Sequence, residues 1–116
     1  MRIKRSGPPK RKARTASERQ RIYGPKSYVP FVKSSPCAHC SVEGYSETAH
    51  NGNGGMGRKK DWTETMPLCG PRKLTSGNWY EGCHAKFDRH ELVGFDAEKA
   101  VTATQQSFHE YQGEPE

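Results

Sequence analysis

Only two stretches of this chain hold a helical period of apolar positions; elsewhere apolar and polar residues alternate in short runs. From Ala97 onward Ala97, Val101, Thr104, Phe108 and Tyr111 recur at intervals of three and four, which predicts an amphipathic helix. Asp96 precedes it as an N-cap, with Glu98 in its first turn. A second helix is expected over residues 83–93, opening at Cys83-His84 and ended by Gly94. Its spacing sets His84 and Asp88 on one face, with Phe87 and Leu92 on adjoining faces. Between Ile22 and Val32, aromatic and β-branched residues are interrupted by Gly24, Pro25 and Pro30, a pattern that suits an extended lead-in better than a helix. Ser41–His50 reads as a short hairpin arm turning near Glu43-Gly44, and Trp62–Leu68 as a β-type run ending at Cys69. Asn51–Gly57, with four glycines and two asparagines, is expected to be a loop, as is Gly70–Gly82. There is no internal repeat, and residues 113–116 read as a frayed end.

Composition sharpens this picture. Apolar residues make up 31% of the 116 positions, and glycine and proline contribute 12 and 8. A core this lean offsets chain entropy poorly, so a small domain of this kind is expected to carry a staple. The longest apolar runs are two or three residues, which excludes a transmembrane helix. No apolar segment follows the basic start, so it does not read as a secretory leader. The expected location is therefore the cytoplasm, where four cysteines favour a metal over disulfides.

Charge is spread unevenly. Residues 1–22 carry nine Lys or Arg against Glu18 alone, a net +8, while the rest of the chain carries −2. This segment, with Arg11, Lys12 and Arg14 at its centre, is expected to be a disordered basic tail. Such a tail suits a polyanion, because each phosphate it neutralises releases condensed counterions. The plainer reading is a solubilising arm or a localisation signal.

Two groups of side chains carry candidate chemistry. Cys37-Ala-His-Cys40 has the C-x2-C spacing of a zinc knuckle, and Cys69 and Cys83 offer a second pair for tetrahedral closure. Thirteen residues separate those two cysteines, far more than in a knuckle. An all-cysteine zinc site is favoured, with three cysteines plus His39 or His84 as the alternative. The other group is His50, His84, Asp88 and His90, with Glu47 nearby in sequence. A single histidine is more often surface or packing than function. A strand-end histidine facing helix-borne nitrogen and oxygen ligands, however, suits metal-assisted phosphodiester cleavage.

In order along the chain, C-x2-C, ETAH, GMGRKKD, PLC and CHAKFD resemble HNH endonucleases of the ββα-metal type. The nearest likeness is to a small phage-borne group that includes a RecA-dependent, recombination-enhancing nuclease. The resemblance spans about residues 36–96 and implies an α+β fold, a small zinc-stabilised ββα-metal unit extended by the C-terminal helix. It implies His50 as general base and His84, with Asp88, as ligands of a catalytic divalent ion, Mg2+ or Mn2+ suiting such mixed ligands. It also implies that the glycine-rich stretch and Arg58, Lys59 and Lys60 lie along a DNA backbone, with a recombination protein as a partner. The chain departs from the family where PLC is followed by Gly-Pro-Arg-Lys, so Cys83 stands in as fourth zinc ligand. The residue that orients the base histidine also lacks a clear counterpart; Asp61 and Asn78 are the candidates, and Asp61 fits the GRKKD stretch better.

The expected organisation is thus a basic tail over 1–22, a zinc-stabilised nuclease domain over 23–112 and a frayed end. A non-catalytic zinc module that binds nucleic acid would explain the cysteines and the tail, but leaves ETAH and CHAKFD without a purpose. A basic ribosome-associated protein fits less well, because the body is slightly acidic.

Overall fold

The computed structural model describes residues 15–52 and 60–113. Over these residues the protein is a small α+β structure. Its elements are helices α1 (Ala16–Tyr23) and α2 (Tyr28–Ser34), strand β1 (Ser46–His50), a 3-10 turn (Trp62–Glu64), strands β2 (Thr65–Cys69), β3 (Arg72–Lys73) and β4 (Trp79–Tyr80), and helices α3 (Cys83–Asp88) and α4 (Ala97–Gly113). They form two antiparallel sheets of two strands each, β1 with β2 and β3 with β4. No helix among the described residues is long and apolar enough to cross a membrane.

β2 lies at the centre, and all five of its residues are buried. It pairs with β1 in a register running from Ser46 opposite Cys69 to His50 opposite Thr65. Pro67 is tolerated there because a two-stranded sheet leaves a free edge, and its carbonyl accepts the Ala38 N–H at 2.8 Å. Ala49, Met66, Leu68 and Val101 pack with three of the cysteines into one core. Fully burying side chains such as Met66 and Leu68 contributes about 1.5–3 kcal/mol each. Tyr28, Val32 and Phe108 form a second core, with Phe31 and Trp62 against it.

A directed hydrogen-bond chain fastens this second core to the central sheet. The Gln105 amide donates to the Tyr28 hydroxyl at 2.9 Å, Tyr28 to Thr65 Oγ1, and Thr65 to the Trp62 carbonyl at 2.6 Å. α4 follows its expected pattern: Val101, Thr104 and Phe108 are buried, and the Asp96 carboxylate caps the Lys99 N–H at 3.0 Å.

Four expectations are corrected. Residues 16–22, assigned to the tail, belong to α1. Thr15 and Glu18 form a reciprocal capping box, Ile22 is buried, and Gly24 closes the helix; residues 1–14 lie outside the described part. Residues 28–34 are helical rather than extended, because Pro30 falls in the first turn, where its missing N–H has no intrahelical acceptor. The Gly70–Gly82 loop contains the β3–β4 hairpin. Finally, α3 stops at Asp88 instead of reaching residue 93. There His90 turns to φ 60° and Arg89 is drawn out to Glu81 and Glu91, letting Leu92 and Phe95 fold back against the core.

Candidate functional site

Four cysteine sulfurs converge between the turn before β1, the end of β2 and the start of α3. All lie within 4.8 Å of one another; Cys37, Cys69 and Cys83 are buried and Cys40 is exposed. Backbone geometry builds the first pair. The Cys37 N–H reaches the Val42 carbonyl at 2.9 Å and the Ser41 N–H the Cys37 carbonyl at 2.9 Å, while the amides of His39 and Cys40 point at the Cys37 sulfur, 3.4 and 3.5 Å away. The second pair depends on Gly82. Its φ is +100°, and a Cβ there would sit 2.5 Å from the Cys69 carbonyl oxygen, so glycine lets the two segments touch. The Cys83 N–H then donates to the Cys69 sulfur at 3.3 Å. The thirteen-residue gap is closed by the β3–β4 hairpin, whose turn is tied by Leu74 N–H to the Asn78 carbonyl at 2.8 Å.

This cluster could hold a metal such as zinc. Tetrahedral zinc with Zn–S bonds of about 2.3 Å separates its sulfurs by about 3.8 Å, and Cys40 and Cys69 stand 3.7 Å apart. Donors surround the sulfurs as they would thiolates. Arg72 Nη1 donates to Cys69 at 3.2 Å and the Tyr80 hydroxyl lies 3.2 Å from Cys83. Burial pushes the Cys83 thiol up to about 12, despite Tyr80. Burial would raise Cys40 as well, but hydrogen bonds from the Val42 backbone and neighbouring thiols bring it down to about 7. A bound cation would hold all four sulfurs as thiolates. Of the alternative histidines, His39 lies against the cluster, with Nδ1 3.3 Å from the Cys83 sulfur, but the mutually close ligand atoms are the four sulfurs; His84 turns toward Glu47.

His50 ends β1, and its Nε2–H donates to the Ile22 carbonyl at 2.9 Å. In the neutral ring this fixes the proton on Nε2 and makes Nδ1 the basic nitrogen. Tyr23 meets the imidazole edge-on, with centroids 6.0 Å apart. Beside it opens a cleft of about 490 Å³ lined by His50, Asn51, Gly52, His84, Phe87, Asp88 and His90. Three of the four titratable side chains grouped from the sequence thus come from α3 and the turn after it. Glu47 joins them indirectly, its carboxylate bonding His84 Nδ1 at 2.8 Å. On the other side of His84, Nε2 stands 3.7 Å from the Asp88 carboxylate.

Asp61 does not orient His50. Its carboxylate caps the 3-10 turn by accepting from the N–H and hydroxyl of Thr63, and the Ile22 carbonyl holds the imidazole. Asn78 lies in the β3–β4 turn. Of the basic residues, Lys60 is half-buried, with its side chain near Gly52 at the cleft. Arg11, Lys12, Arg14, Arg58 and Lys59 lie outside the described residues. Sequence reading missed the Ile22 carbonyl, which no residue type announces, and the placing of Arg72 and Tyr80 beside the sulfurs. A second groove of about 490 Å³, between Phe31, Pro67, Phe95 and Ala100, is lined by Asp96, Lys99 and the hydroxyl residues Ser35, Thr104 and Ser107 but by no histidine or cysteine.

No protein-family model, no curated protein and no solved structure matches this chain.

Proposed function

We propose that the protein is a metal-dependent endonuclease that hydrolyses DNA phosphodiester bonds, with His50 as general base. The observation that carries this reading is the shared cleft, which sets an imidazole of defined tautomer together with the His84–Asp88 pair of α3. The +8 of the first 22 residues and the order of motifs resembling HNH endonucleases support it.

In this reading His50 Nδ1 removes a proton from the attacking water, and the Ile22 carbonyl stabilises the imidazolium that results. His84 Nε2 and the Asp88 carboxylate are 3.7 Å apart, too far for a hydrogen bond. Two ligands of one Mg2+ lie at most about 4.2 Å apart, so a single ion can reach both. Such an ion, Mg2+ or Mn2+, supplies charge stabilisation at the pentavalent phosphorus and the leaving 3′ oxygen. Glu47 then acts on His84 from behind, fixing the ring through Nδ1. The cysteine cluster, as a structural zinc site, locks the first residue of α3 to the end of β2 and so sets the distance across the cleft.

Supercoiled plasmid incubated with the protein should be nicked when Mg2+ or Mn2+ is added and remain intact when it is omitted. His84→Ala should raise the ion concentration needed by about tenfold or more, the usual scale for a lost ligand or its support. Plasmid that is bound but never cut, with any divalent ion, would overturn the proposal in favour of a non-catalytic zinc module that binds nucleic acid.

A further inference from the structure

The β3–β4 hairpin does more than span the gap between two cysteines. Its register pairs Arg72 with Tyr80 and Lys73 with Trp79, and directly paired residues share a face. Arg72 and Tyr80 turn inward, where both reach the sulfurs. Lys73 and Trp79 face outward. Trp79 is 70% exposed, more than any other Phe, Tyr or Trp among the described residues. Trp62, by contrast, packs against Tyr28 with centroids 4.9 Å apart. Nothing in the folding of the hairpin requires an indole at position 79.

On the outer face Lys73 is the cation paired with this ring; on the inner face Arg72 lies over Tyr80 at 4.9 Å and over Tyr45 at 5.8 Å, and Lys86 lies over Tyr80 at 5.8 Å. Residues 71–80 contain no acid, and the nearest one, Glu81, is occupied by Arg89. The outer face of the hairpin thus presents one flat aromatic ring with a lysine directly across from it. A partner that matches it offers a flat apolar face and a negative charge within a few ångströms. Unpaired nucleotides have both. A duplex offers its phosphates but hides its base faces in the stack.

From this we infer that Trp79, with Lys73 opposite it, forms a stacking platform for a single-stranded nucleic acid. Aromatic stacking on bases, combined with cationic contact to the backbone, is the general basis of single-strand binding. In sequence Trp79 precedes the cleft residue His84 by five residues, and the hairpin leaves the core at Gly70, against which the Glu47 carboxylate is pressed. The inference deepens the endonuclease reading by naming its substrate as DNA with unpaired bases near the cut, yet binding is measured without cleavage.

The test is binding of the full-length, zinc-loaded chain to fluorescein-labelled oligo(dT) and to a duplex of equal length, with no divalent ion added. Oligo(dT) should quench the tryptophan emission. Trp79→Ala should weaken oligo(dT) binding about tenfold or more and leave duplex binding unchanged, while Trp79→Phe retains most of the affinity. Lys73→Gln should reduce the salt dependence of oligo(dT) binding by about 0.7 in log–log slope, the contribution of one phosphate contact. Zinc content and melting temperature, equal to wild type, show that each variant is folded. Unchanged oligo(dT) affinity in Trp79→Ala, or an equal loss for duplex, would overturn the inference. Plasmid nicking by the same variants separates the two proposals, because the hydrolytic reading requires His50 and not Trp79.

Discussion

The Ile22 carbonyl sets the tautomer of His50. Imidazole carries its neutral proton on either nitrogen, and the Ile22 oxygen at 2.9 Å selects Nε2, so the basic nitrogen is Nδ1. That carbonyl belongs to the last turn of α1, and Gly24 just beyond it has φ +78°. A Cβ at Gly24 would sit 2.8 Å from the Trp62 ring. Gly24→Ala should therefore lower stability by about 1–3 kcal/mol, seen as a lower melting temperature. It should also reduce nicking, at temperatures where the variant is still folded, by more than the unfolded fraction explains. The cysteines and His50 were legible as residue types in order along the chain. Ile22 was not, since a backbone oxygen has no signature in sequence. Asp61 misled because a short acidic side chain ahead of a tight turn finds its partner two residues on.

Among the elements, legibility followed length and pattern. α4 was readable because its period persists over 17 residues and Asp96 caps it. α1 was hidden by charge: nine basic residues among the first 22 mask a capping box and one buried isoleucine. β3 and β4 have two residues each, too few to show an alternation. Two substitutions probe how elements are joined. Tyr28→Phe removes the link between Gln105 and Thr65 inside the second core, and should cost about 1–3 kcal/mol in denaturant unfolding. Gly82→Ala forces a Cβ to within 2.5 Å of the Cys69 carbonyl. It should separate Cys83 from the other sulfurs, and metal content after purification should fall well below that of wild type.

At the scale of the whole molecule, two modest cores and one sulfur cluster hold the described residues together. A structural zinc site contributes about 10–16 kcal/mol in small domains, as much as the entire stability of an ordinary fold at about 5–15 kcal/mol. Stripping the metal with a strong chelator should therefore abolish the near-ultraviolet dichroism of the aromatic core. Elemental analysis of the untreated protein should find one zinc per chain. The need for a staple was legible from the lean composition. The way β2, α3 and the hairpin meet at that staple was not, because it rests on contacts between residues far apart in the chain. The most direct measurement is nicking of supercoiled plasmid in Mg2+ or Mn2+ by wild type and His50→Ala at matched zinc content and matched DNA binding. The account predicts a loss of about 10²-fold or more, the scale of a missing general base; cleavage by His50→Ala at the wild-type rate would contradict it.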